Sequence, residues 1–234
     1  MKRFYKQASF AEGPEGWRVL LDGRAIKTVG GRPQALPSAA LAEAMALEWA
    51  EQGEEIDTTR FIYRDMADYA LDMVAQDPSE AILGLIPYAE TDTLCYRADP
   101  DEALFEKQQQ VWEPVLTKAE ARLGLRFERI SGIIHRPQPE STLAALRAQL
   151  EASDPFRLAA LRNLSSLAAS LVIALEALEP DADVEGLWAA ACLEEEWQAD
   201  LWGRDWEAEE RREKRAKAFA ATVEFARLAA QVTA

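Results

Sequence analysis

The hydrophobic period of this chain changes at Pro37, and that change limits the fold more than any other feature of the sequence. Before it, GWRVLLDGRAIKT sets Asp22-Gly23 between two runs with β-branched or aromatic content, a strong short-range hairpin signal. Phe4 to Phe10 ahead of it and Gln34 to Leu36 behind it complete a small sheet. After Pro37, Ser38 is a favourable N-cap, and Leu41, Ala44, Met45, Glu48 and Trp49 recur at helical spacing. A β-rich start must therefore give way to helices.

The rest of the chain keeps the longer period. A second helix is expected over about Asp65 to Gln76, with Met66, Tyr69, Ala70 and Met73 on one face and Asp77-Pro78-Ser79 breaking it. AILGLIPYA leads into TDTLCYR, readable as a strand or as an irregular helix end. Residues 101–123 are helical by composition, with Pro114 expected to kink or restart the helix. LRFERISGII leaves room for one more strand. Helices are then expected over about 139–151, 155–178, 182–202 and 205–231, punctuated by Asp154-Pro155 and Pro180-Asp181. The fold class is α+β: a small β-rich N-terminal domain followed by a larger all-helical C-terminal domain. Residues 1–37 form the β-rich core of the first, which helices and a strand extend to about residue 130; residues 131–234 form the second.

Charge narrows the partners. The formal net charge is −15, which argues against nucleic-acid backbones and anionic membranes. Residues 1–37 carry seven Lys/Arg against three Asp/Glu, net +4, which leaves −19 for the remainder. No stretch approaches the roughly 18 apolar residues of a membrane span, so no membrane insertion is expected. The opening MKRFYKQASF has no apolar segment of the kind a secretory signal needs, and a reducing cytoplasm is the expected location. Cys95 and Cys192 are too few for a disulfide framework and form no CxxC pair, so both read as buried, inert thiols.

The motifs of common catalysts are missing. GxxxxGK[ST], GxGxxG and GxSxG do not occur, so no phosphate cradle or serine elbow is encoded and no cofactor is expected. His135, the single histidine, lies in IIHRPQP without ligands at metal spacing and reads as a loop side chain; no metal site is expected. A nucleophile pair of His135 with Cys95 or Cys192 is the minor reading. Paired carboxylates leave a small hydrolase as one alternative function, and a helical adaptor with another client as a second.

The carboxylates concentrate in CLEEEWQADLWGRDW, residues 192–206, which hold three tryptophans and five carboxylates with Arg204 as the one cation. On a single helix Trp188, Cys192, Glu195, Ala199, Trp202 and Trp206 share a stripe, which predicts core packing for the tryptophans. Glu195 interrupts that stripe, so Glu196 is the more partner-facing of the two. Gly203 is expected to end this helix and Asp205 to cap the next, whose Glu207/Arg211, Glu210/Lys214 and Glu213/Lys217 pairs mark a solvated face. Aromatic anchors beside repeated carboxylates also suit a partner-binding patch.

LEEEWQADLWG, with RFYKQ, VLLDGRAIKT, LEWAEQGEEID, TDTLCYRA, QVWEPVL and SLAASLVIALE, resembles the assembly chaperones of F-type ATP synthase that bind the alpha subunit of the catalytic head. The resemblance runs in order from Arg3 to about Phe225. It implies a non-enzymatic protein, monomeric when free, that holds unassembled alpha subunit and shields its subunit interface until beta joins. Mitochondrial members act in the matrix behind a transit peptide; this chain starts almost at the family domain and resembles a bacterial relative. The resemblance also implies that the acidic block is partner-binding, through Glu194, Glu195, Glu196, Gln198, Trp202 and Gly203, with Asp205 following the Trp-Gly pair.

Overall fold

The structure, a computed structural model, describes residues 1–132 and 135–231. Its contacts divide the chain into two compact units: Met1–Ala81 with Asp154–Ala160 and the C-terminal segment from Ala221, and Ile82–Ser153 with Leu161–Ala220.

The first unit holds an antiparallel sheet of β1 (Ala8–Gly13), β2 (Gly16–Leu21) and β3 (Arg24–Ala25), in that order. β2 and β3 meet at the Leu21↔Arg24 pair across Asp22-Gly23. Both turn residues have positive φ, +48° and +79°, the backbone that a two-residue hairpin matched to strand twist requires. Asp22 also ties down the N-terminus: its carboxylate accepts the backbone N–H groups of Lys6 and Gln7 at 3.0 and 2.9 Å, and these bonds hold its carboxyl below the ordinary value. The expected strand at 34–36 is reduced to one bridge, between Leu36 and Trp17.

α1 (Ala39–Ala50) starts where the period changes. Ser38 Oγ accepts the Leu41 N–H at 3.0 Å and donates to the Leu228 carbonyl at 2.6 Å. Leu41 and Met45 point into the core, and Trp49 packs between Tyr5 and Phe61 beside buried Leu21 and Ile56. α2 (Ile62–Tyr69) begins under Glu48, whose two oxygens accept the Tyr63 and Arg64 N–H groups at 2.7 and 3.0 Å. A π-turn, Ala70–Val74, follows directly, closed by Ala75 N–H to the Ala70 carbonyl at 2.8 Å. It corrects the expected apolar face: one extra residue per turn brings Val74 inward and leaves Met73 53% exposed.

α3 (Pro78–Leu85) and α4 (Pro87–Glu90) carry the AILGLIPYA stretch. In the second unit β4 (Tyr96–Arg97) pairs in parallel with β5 (Ile130–Ser131), so both ambiguous segments supply a short strand; Ile133 and Ile134 lie outside the described residues. α5 (Ala103–Leu123) runs unbroken through Pro114, so the helix does not restart there. Trp112, Leu116 and Ala119 are fully buried along it, and that packing offsets the loss of one helical N–H.

α6 (Glu140–Glu151) follows, then the predicted helix over 155–178 divides into α7 (Pro155–Ala168) and α8 (Leu171–Ala177). Asp92 explains the division. Its buried carboxylate accepts Ser170 Oγ at 2.7 Å and the Val172 and Leu94 N–H groups at 2.9 and 3.1 Å, while Thr93 binds the Ala169 carbonyl through its N–H and hydroxyl. The anion needs a helix N-terminus, and Ala169 at φ +49° provides one by ending α7. Every residue of α8 is buried.

Candidate functional site

The predicted helix over 182–202 also divides, into α9 (Val184–Ala191) and α10 (Leu193–Trp202), with Cys192 between them at φ −93° and ψ +5°. The Ala190 carbonyl at the break accepts the indole N–H of buried Trp112 at 2.8 Å. The stripe from Trp188 to Trp206 is not buried along its length, for Cys192 is 2% exposed and Trp202 86%. Trp188 packs on Phe219, with ring centroids 5.3 Å apart, under the Arg215 guanidinium. The core expectation fails for the other end of the stripe: Trp202 is 86% and Trp206 71% exposed.

α10 and α11 (Trp206–Ala230) form a helical hairpin across Gly203-Arg204-Asp205. Gly203 stops α10 at φ +97° and ψ +155°, a conformation open mainly to glycine. Asp205 caps α11 by accepting the Ala208 N–H at 3.3 Å, and the three predicted i,i+4 pairs of α11 form, with Glu210–Lys214 and Glu213–Lys217 both at 2.7 Å.

The acidic residues do not face solvent as free charges. Glu194 turns toward α5, where buried Gln108 donates to its Oε1 at 2.7 Å, and burial pushes its carboxyl up. Glu195 takes Arg215 at 2.8 Å. Glu196 lies between Arg212, which it contacts closely, and Arg204 at 3.0 Å. Arg204 also reaches Asp200 at 3.1 Å and Glu209 at 3.0 Å. Glu195 and Glu196 are thus the acidic half of a network that clamps α10 to α11. Preference for Glu196 over Glu195 finds no geometric basis, since both are paired and Glu195 is the more exposed.

Gln198 and Trp202 line a groove of about 470 Å³ with Glu195, Asp205, Arg211 and Arg215. Beside it Leu201 is 63% exposed, so the hairpin turn presents three large apolar side chains, Leu201, Trp202 and Trp206. The structure brings Glu195, Gln198, Trp202 and Asp205 together and leaves Glu194 and Glu196 in the helix contacts. Leu201 and the arginines on α11 were not marked as site residues by sequence reasoning. The one available signal was that an i,i+4 helix face cannot neutralise Glu195 and Glu196, so cations had to come from a second helix.

Elsewhere, Cys95 and Cys192 are buried free thiols whose pKa values burial raises, and His135 Nδ1 sits 2.8 Å from the Tyr96 hydroxyl. Among the described residues no group of three His, Cys, Asp or Glu is placed to hold a metal ion, and no helix is long and apolar enough to cross a membrane.

Fold and surface together define a class: an α+β protein that carries an ion-paired helical hairpin tipped with exposed aromatics. The family model described as ATP12 chaperone protein matches residues 2–120. The crystal structure of Atp12 from Paracoccus denitrificans is similar over 97% of this chain and 98% of that one, at 36% identity and a TM-score of 0.91. Protein Atu1473 of Agrobacterium tumefaciens gives 36% identity and a TM-score of 0.91 over 97% of this chain and 85% of its own. The mitochondrial protein atp12 of Schizosaccharomyces pombe is 25% identical over 86% of this chain and 74% of its own length. The chain belongs to the ATP12 chaperone family, the assembly chaperones of ATP synthase.

Proposed function

We propose that this chain binds the unassembled alpha subunit of F-type ATP synthase and shields its subunit interface until beta joins, acting as a chaperone and not as an enzyme. The observation that supports this reading is the exposed trio Leu201, Trp202 and Trp206 at the α10–α11 turn. Large apolar groups held out in water on a rigid support are what an interface anchor needs, and tryptophan is the residue that most often carries such energy. Beneath them, the arginine–carboxylate network fixes the hairpin, so little conformational entropy remains to be lost on binding. Gln198 and Asp205, at the rim of the adjoining groove, supply polar contacts; Glu194, Glu195 and Glu196 position the anchor.

The test is aggregation of purified alpha subunit in the presence of wild-type chaperone or a Trp202→Ser, Trp206→Ser double variant, with thermal melts of each chaperone. Because both rings are exposed, the variant should keep its stability within about 0.5 kcal/mol and lose most of its ability to hold alpha in solution. Full suppression of aggregation by the variant would remove the hairpin tip from the binding site.

A further inference from the structure

A second surface, within the first unit, has a different character. α1, the start of α2 and the end of α11 enclose a groove of about 460 Å³. Ala40, Ala44, Leu47, Leu228 and Tyr63 supply its apolar lining. Leu47 is 55% exposed there, although it lies on a helix whose opposite face is fully buried. The rim is acidic. Glu43, Glu51 and Glu224 are exposed around the opening, and Glu48 lies between them, half-buried against the Tyr63 and Arg64 N–H groups. Arg60 is the cation among the lining residues, and its guanidinium is engaged by the carbonyl of Glu51 at 3.0 Å and by its carboxylate at 3.5 Å.

Charge complementarity selects the occupant. An apolar groove ringed by carboxylates favours a segment that offers an aliphatic side chain flanked by Lys or Arg and repels an acidic one. We infer that this groove docks a basic amphipathic helix of a protein partner, with one aliphatic residue seated against Leu47 and Leu228 and flanking cations on Glu43 and Glu224. None of its lining residues belongs to the hairpin tip, so it does not depend on the identity of the client held there.

The experiment uses the full chain and a fluorescein-labelled amphipathic helical peptide of Leu and Lys, with a Leu–Glu peptide of the same pattern as control, followed by anisotropy. Wild type should bind the basic peptide and not the acidic one. A Glu43→Lys, Glu224→Lys double variant should bind about tenfold more weakly or worse, as reversal of two rim charges predicts, and Leu47→Asp should weaken binding similarly. Glu106→Lys with Glu151→Lys changes the net charge equally at exposed positions outside the groove and should leave affinity within about twofold. Hydrogen exchange should slow over residues 40–51 and 224–228 when the peptide is bound. Equal losses in both double variants would mean that the peptide reads only the overall charge, and that would overturn the inference. So would failure of wild type to bind, or a sedimenting dimer abolished by Leu47→Asp, which would give the groove to a second copy of this chain.

Discussion

Asp92 shows how one residue can look functional and be structural. It lies in TDTLCYRA, one of the segments that carry the family resemblance, yet its carboxylate is wholly buried and serves the N-terminus of α8. Removing it in Asp92→Ala would orphan the Ser170 hydroxyl and the Leu94 and Val172 N–H groups, a loss of about 3 kcal/mol or more by denaturant titration. Burial outweighs these bonds and raises its pKa from 3.8 to about 6. The folded state then holds the proton more tightly than the unfolded chain. Its contribution is therefore complete below about pH 4 and is lost as pH rises through about 6. Relative to Asp92→Asn, wild type should gain about 1 kcal/mol of stability between pH 7 and pH 5, and urea titrations at the two pH values measure this directly. Glu196 makes a milder case. Glu196→Gln removes one partner from Arg212, which keeps Glu209 at 3.1 Å, so a thermal melt should show a loss of about 1 kcal/mol.

Among the elements, the helices that the sequence ran together were divided by contacts made with distant residues. α7 and α8 part because Asp92 requires a free helix N-terminus, and α9 and α10 part where the buried Trp112 indole takes the Ala190 carbonyl. Neither break carries a glycine or proline, so periodicity had no means of finding them. The α10–α11 turn is the opposite case, written locally in Gly203 and Asp205. Nothing lies within 4 Å of where a Cβ on Gly203 would sit, so Gly203→Ala tests backbone strain alone. A loss of about 1–3 kcal/mol is expected, and an unchanged melting temperature would show that the turn relaxes without cost.

Over the whole molecule, the net charge of −15 coexists with dense internal ion pairing. Paired carboxylates still contribute to the long-range field, because that field depends on net charge. Under the proposed function, capture of alpha should slow as salt rises from about 0.05 to 0.5 M, while dissociation, governed by the apolar anchor, should change far less. Stopped-flow measurements that found the association rate independent of salt would remove steering from the account.

The sequence by itself determined the β-to-α change at Pro37, the Asp22-Gly23 hairpin, the Ser38 and Asp205 caps and the α+β class, because each rests on residues within a few positions of one another. Two of the segments that carry the family resemblance, TDTLCYRA and SLAASLVIALE, meet in the folded chain through Asp92 and Ser170. Tertiary structure alone decided which side of α10 is wet. A stripe of tryptophans reads as core whenever the helix is assumed continuous. The break at Cys192, beside the Ala190 carbonyl held by Trp112 more than seventy residues away, separates Trp188 from the exposed Trp202 and Trp206, and Glu195 and Glu196 find their arginines on the next helix. Exposure depends on where distant segments pack, and that is information local periodicity does not contain.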